Sequence, residues 1–185
     1  MSFLTICEPG QVIWITGLSG AGKSTLAHET VSLLRAAGNG VVMLDGDELR
    51  KVFGAVVENQ QNHGRQGRLA LAMQYAQLCR VIAAQGLTVV IATISLFREI
   101  HVWNRTNLPG YFEIYLKVPV EELRRRDPKK IYKRFDAGEL KDVAGLDMPI
   151  DEPCSADWVV EFVRERPAAL LANELLNKLE IGSAK

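Results

Sequence analysis

No apolar run in these 185 residues reaches the roughly 20 needed to span a bilayer as a helix, so a helical membrane protein is not expected. Nor is there an excess of charge of either sign. Lys plus Arg and Asp plus Glu both number 22. A nucleic-acid partner is therefore not expected, because such a surface shows as a basic excess. A locally basic pocket for a small anion stays open. Cysteine is scarce: Cys7, Cys79 and Cys154 are scattered and odd in number, with no Cys-x-x-Cys pair. That argues against a zinc site or disulfide framework and fits buried thiols in a reducing compartment. The first ten residues lack the basic start and apolar stretch of a signal peptide, so a cytoplasmic location is expected. Repeats, low-complexity tracts and linkers are absent too. One domain over 1–185 is expected.

What is present is an alternation of short β-rich runs and helical stretches. The runs Val12 to Thr16, Val41 to Leu44, Leu87 to Ile94, Phe112 to Val118 and Trp158 to Phe162 read as strands. Leu87 to Ile94 shows no polar alternation, which suits a strand covered on both faces. Helical spacing runs through Lys23 to Ala37, Arg65 to Gln85, Glu99 to Leu108, Val120 to Arg126 and Pro167 to Leu179. Repeated β-α units predict an α/β fold: a five-stranded parallel sheet with helices on both faces. Residues 127–153 are polar and rich in Pro and Gly. They read as a long mobile loop with at most one helical turn, placed where a lid would be.

Gly17-Leu18-Ser19-Gly20-Ala21-Gly22-Lys23-Ser24 fits G-x-x-x-x-G-K-[ST], with Thr25 following. The strand before it and the helix after it are the context that the P-loop NTPase fold requires. Glycines let backbone N–H groups curl around phosphate oxygens, and the helix adds its positive end. Lys23 is then expected on the β- and γ-phosphates and the Ser24 hydroxyl on Mg²⁺. A guanine-specific GTPase carries Asn-Lys-x-Asp after a late strand. The Asn177-Lys178 pair lies in the last helix and lacks that aspartate. A small-molecule kinase is the better reading.

Asp45-Gly46-Asp47 stands at the carboxyl end of the second strand, where open α/β sheets bind ligands. These carboxylates can position a hydroxyl, accept its proton or hold Mg²⁺ through water; Asp47 can equally cap a helix over Glu48 to Phe53. Arg50 shares a helical face with Asp47 and suits an anionic substrate. Ser95 and Arg98 follow the third strand, with Ser95 also a candidate helix cap. The basic run Arg124 to Arg126, Lys129 and Lys130 opens the expected lid.

Taken together, these motifs resemble the adenylyl-sulfate kinase family along nearly the whole chain. The phosphate loop, Asp45-Gly46-Asp47-Glu48-Leu49-Arg50, Ile94-Ser95-Leu96-Phe97-Arg98, and the stretch through Arg126, Lys129, Lys133, Gly138 and Gly145-Leu146-Asp147 carry the resemblance. It implies transfer of the ATP γ-phosphate to the ribose 3′-hydroxyl of adenylyl sulfate. It implies ATP on Gly17, Ser19, Gly20, Ala21, Gly22, Lys23, Ser24 and Thr25, with Arg126 at the adenine edge and Mg²⁺ on Ser24 and Asp45. Asp47 becomes the hydroxyl-positioning group or base, Ser95 the family's active-site serine, and Lys129 and Lys133 the lid lysines. Arg50, Arg68, Ile94, Arg98 and Val143 complete the expected substrate side. A homodimer is expected by family analogy.

The departures gather on the acceptor side. The family's Gly-Phe-Ser, Asp-Arg, Asn and Arg-Arg elements have no clear counterpart between Val52 and Arg68, where Arg65 or Arg68 can replace one arginine. Val143 stands where the family has phenylalanine, and Leu96 where it has proline. Thr93 to Ile100, Asn104-Arg105 and Asn107-Leu108 resemble a branch of the family that phosphorylates cytidine diphosphoramidate, whose smaller pyrimidine suits a site without an aromatic sandwich. A non-catalytic ATP-binding regulator and a shikimate- or gluconate-type kinase are further readings. The first does not account for Asp45, Asp47, Ser95 and Lys129 together, and the second does not account for the lid motif.

Overall fold

The structure, a computed structural model, describes residues 8–54, 64–164 and 166–183. Most of the rewritten acceptor segment, residues 55–63, therefore lies outside the described residues, as does Cys7. The elements run β1 (Val12–Thr16), α1 (Lys23–Ala36), β2 (Val41–Asp45), α2 (Gly46–Gly54), α3 (Arg65–Ala83), β3 (Thr88–Ala92), α4 (Arg98–Asn107), β4 (Phe112–Lys117), α5 (Val120–Arg126), α6 (Ile131–Asp136), β5 (Trp158–Glu161) and α7 (Ala168–Ser183).

The five strands form one sheet in the order β2-β3-β1-β4-β5, and every pair is parallel. β1 lies at the centre, with Trp14 paired to Ile91 on one side and Glu113 on the other. All its residues are buried, but successive side chains face opposite ways. Ile13 and Ile15 enter one core with Leu26, Ala27, Leu116 and Leu175. Val12 and Trp14 enter the other with Ala72, Tyr75, Phe97 and Ile100. The continuous apolar runs of the sequence are thus two alternating faces, each under its own helices. Burial of each Ile or Leu contributes about 1.5–3 kcal/mol, so truncating Ile15 to Ala would cost about 2–5 kcal/mol.

Because all strands point one way, Gly17, Asp45 and Thr93 come to the same edge of the sheet. Two boundaries differ from expectation for physical reasons. β3 leaves the sheet after Ala92: the Thr16 hydroxyl takes the Ile94 carbonyl, and Ser95 turns to φ +30°. α2 begins at Gly46, so Asp47 lies within its first turn and is not its cap. Asp45 does that work, accepting the Asp47 N–H at 2.8 Å.

The 127–153 segment is more built than its composition suggested. Asp127 accepts the N–H groups of Tyr132 and Lys133 at 3.2 and 2.9 Å, which starts α6. Tyr132, Ala144 and Met148 are buried, and Tyr132 and Ala144 belong to the same core as Ile13 and Ile15. Gly145 has φ +83°, and a Cβ there would stand 2.8 Å from Leu18 Cδ1, so the segment seats directly on the phosphate loop. Among the described residues, no helix is long and apolar enough to cross a membrane.

Candidate active site

At the carboxyl edge of the sheet a cavity of about 450 Å³ opens between the phosphate loop, α2, α3 and the 127–153 segment. Gly17 turns the chain out of β1 at φ +150°, where a Cβ would lie 2.8 Å from the Leu116 carbonyl oxygen. Lys23 Nζ donates to the Leu18 carbonyl at 2.8 Å, which holds the ammonium inside its own loop. Burial, then the neighbouring Lys129 ammonium, bring the Lys23 pKa down to about 8 against the pull of Asp47 and Asp45. An anion in the loop would reverse that penalty.

Ser24 Oγ donates to Asp45 Oδ2 at 2.6 Å. Burial pushes the Asp45 carboxyl up. The Ser24 hydrogen bond, the Asp47 and Glu48 N–H groups and the Lys129 charge outweigh it, and the net shift is downward. This hard-oxygen pair suits Mg²⁺, and no group of three acidic, His or Cys side chains gathers among the described residues. Mg²⁺ commonly takes one or two protein oxygens and completes its shell with phosphate and water, so the pair fits.

Asp47 is paired with Lys129, which reaches it from the 127–153 segment. Arg50, Arg68, Ile94, Ser95 and Val143 line the same cavity, as do Ser19, Gly20, Gly22 and Thr25. Ser95 is buried, and its hydroxyl lies 2.8 Å from that of Thr93. It does not cap α4, whose first residue, Arg98, donates its N–H to Asp151 at 3.1 Å. Arg68 donates to the Asp142 carbonyl at 2.6 Å, and burial followed by the Arg50 charge lowers its pKa.

Arg126, expected at the adenine edge, and Arg98 and Lys133, expected on the substrate side, stand outside the large cavity. Arg126 lines a second cavity of about 190 Å³ with Ala21, Thr25 and Phe162, and its guanidinium lies 4.8 Å from the Phe162 ring centroid. Arg98 and Lys133 do not line the large cavity. The Arg98 side chain is exposed, and the Lys133 backbone serves to start α6.

Tyr75, Phe97 and Leu71 also line the cavity, and the sequence reading had taken Tyr75 only as part of a buried helical face. The Tyr75 hydroxyl donates to the Gly46 carbonyl at 3.3 Å, and burial raises its pKa to about 12. Its ring stands 6.0 Å from that of Phe53. A hydroxyl on an apolar helix face, beside a turn carrying Asp-Gly-Asp, is the signal that could have pointed to it.

A phosphate loop, a paired carboxylate and a basic wall sharing one cavity on a five-stranded parallel sheet define a small P-loop kinase. The family model described as adenylylsulphate kinase matches residues 9–161, and the chain belongs to that family. It is thus an ATP-dependent phosphotransferase acting on a hydroxyl. It is 37% identical over 149 residues to the cytidine diphosphoramidate kinase of Campylobacter jejuni subsp. jejuni serotype O:2, covering 80% of this chain and 84% of that one. It is 34% identical over 152 residues to the adenylyl-sulfate kinase of Picosynechococcus sp., covering 80% and 81%. The solved structure of the Mycobacterium tuberculosis APS kinase CysC with AMPPNP and APS matches it with TM-score 0.84 at 28% identity, covering 93% and 98% of the two chains.

Proposed function

We propose that this chain transfers the ATP γ-phosphate to the ribose 3′-hydroxyl of a nucleotide seated against Arg50, Arg68 and Val143, with adenylyl sulfate as the family's acceptor. The observation that carries the reading is the sharing of one cavity by Lys23, Ser24, Asp47, Arg50 and Arg68. The adenine of ATP fits the second cavity, where Arg126 and Phe162 offer a planar cation and a ring. Lys23 holds the β- and γ-phosphates, and Ser24 with Asp45 holds Mg²⁺, which neutralises charge on the transferring group. Asp47 orients the acceptor hydroxyl and takes its proton while the phosphoryl passes in line from ADP to that oxygen. No phosphorylated serine is needed for this, and Ser95 serves the acceptor wall. Lys129 lets go of Asp47 as the hydroxyl arrives and turns to the phosphates. In this reading residues 127–153 are the lid of a single domain, the protein works in the cytoplasm where ATP is made, and it pairs as a homodimer.

A second acceptor, cytidine diphosphoramidate, is favoured by Val143. This residue is small where the family carries phenylalanine, and it forms part of the cavity wall. The 37% identity to the Campylobacter enzyme points the same way. The test is ADP release and product mass with purified protein, Mg-ATP and each acceptor in turn. Transfer to one of them fixes the substrate. ATP binding without transfer to either, or to a wider nucleotide panel, would overturn the reading of the acceptor site.

A further inference from the structure

The turn that carries Ser95 and Phe97 into the cavity is closed by the Phe97 N–H on the Ser95 carbonyl at 3.0 Å and by the Thr93 hydroxyl beside that of Ser95 at 2.8 Å. Ser95 has φ +30°, a conformation that L residues rarely adopt, and Phe97, at the N-cap position of α4, offers that helix no side-chain cap. The cap of α4 comes instead from Asp151, 53 positions beyond Arg98. The Asp151 N–H donates to the Leu96 carbonyl at 3.0 Å, and Asp151 Oδ2 accepts the Arg98 N–H at 3.1 Å. These two bonds grip the chain on either side of Phe97. The same carboxylate oxygen accepts from Arg65 at 2.8 Å, and the Arg65 guanidinium lies 5.3 Å from the Phe97 ring centroid. Arg65 also donates to both oxygens of Glu99, at 3.0 and 3.2 Å. The Asp151 carbonyl accepts from His101 Nε2 at 3.1 Å, so residue 151 is itself held from α4.

We infer that Asp151 is a positioning residue for the acceptor: by bracketing Phe97 it fixes the wall formed by Ser95 and Phe97. The inference rests on the reading of the large cavity as the acceptor site. Phe97 is only 6% exposed and lines that cavity, so a shift of the turn by an ångström moves a wall against which the acceptor packs. Arg65 opens α3 and Asp151 closes the 127–153 segment. The one carboxylate therefore joins three chain segments that surround the acceptor, and none of its partners lies in the phosphate loop. Acceptor binding depends on it and ATP binding does not. The Arg98 N–H, left without a partner, would no longer hold α4 in register with Ser95.

The test compares Asp151→Ala and Asp151→Asn with the unaltered chain. Adenylyl sulfate and cytidine diphosphoramidate serve as acceptors, and backbone amide exchange is followed in parallel. For Asp151→Ala the expected result is an acceptor KM raised about tenfold or more with ATP KM within about twofold. Asp151→Asn keeps an oxygen for the Arg98 N–H and loses the charge that draws Arg65, so it falls between the two. In the exchange experiment the Arg98 amide loses protection in Asp151→Ala while the β1 and β3 amides keep theirs. An unchanged acceptor KM, or equal losses for acceptor and ATP, overturns the inference. If the unaltered chain phosphorylates neither acceptor, the proposed function fails. The exchange result then decides the support of the turn alone: unchanged Arg98 protection overturns it.

Discussion

The two halves of this site are built differently. In the proposed reading the phosphates of the donor are held by one continuous stretch, Gly17 to Thr25, running from β1 into α1 and resting on the core that holds Ile13, Ile15, Leu26 and Ala27. The acceptor half is assembled from α2, α3, the 94–97 turn and the 127–153 segment, and α2 and α3 rest on the other core, with Val12, Trp14, Ala72 and Tyr75. The sheet separates the supports of α2 and α3 from those of the loop, while the 127–153 segment shares the loop's own core through Tyr132 and Ala144. The difference teaches that the part of the wall built on α2 and α3 can change without touching the loop proposed to grip ATP.

Three experiments press on that division. The largest effect is expected from Lys23→Ala, which removes charge from both ground-state binding and the transferring phosphoryl. Activity with any acceptor should fall by about 10³-fold, measured as kcat/KM for ATP, while the thermal midpoint changes little. A loss confined to one acceptor would break the division. Val143→Phe should act on the acceptor half alone. An added ring offers about 1–3 kcal/mol of stacking to a base, so preference should move toward adenylyl sulfate over cytidine diphosphoramidate by about tenfold, read from the ratio of kcat/KM values, with ATP KM unchanged.

The smallest effect concerns protons. Lys23 is held down to about 8, first by burial and then by Lys129. Free enzyme therefore loses this proton as pH rises through about 8, and bound phosphates put it back. ATP binding should take up a fraction of a proton between about pH 7.5 and 9.5, and ATP affinity should fall as pH rises across that window. Below about pH 7 the lysine is already charged and this dependence vanishes. Calorimetry in two buffers of different ionisation enthalpy measures the uptake, and Lys129→Ala should reduce it by relieving the depression.

The same division explains what could be read in advance. The phosphate loop is contiguous, and its glycines, lysine and serine do one thing each, so it was legible residue by residue. All five strands were too, because a parallel sheet buried on both faces writes itself as apolar runs. The acceptor half depends on contacts between distant segments. Tyr75 read as a core residue of α3, yet its hydroxyl meets Gly46 only after β2 and β3 pair. Ser95 and Asp47 were both candidate helix caps. The caps are instead Asp151 for α4, an acceptor no local pattern contains, and Asp45 for α2, two residues earlier than expected. Residues 127–153 read as loose because their composition is polar. Their buried apolar residues, Tyr132, Val143, Ala144 and Met148, are too few and too unevenly spaced to make a periodic signal.

Tyr132 also donates its hydroxyl to the Ser19 carbonyl at 2.9 Å, close to where Gly145 sits on Leu18. The segment over the acceptor is thereby latched to the loop that grips the donor. If the segment is the proposed lid, such a latch orders departure: a product could not swing the segment away without tugging on the loop that would hold ADP. The bareness of Gly145 then governs tempo as well as shape. Any side chain at that position would prise the latch ajar, so that the products would leave sooner and turnover would be set more by how quickly phosphate is passed.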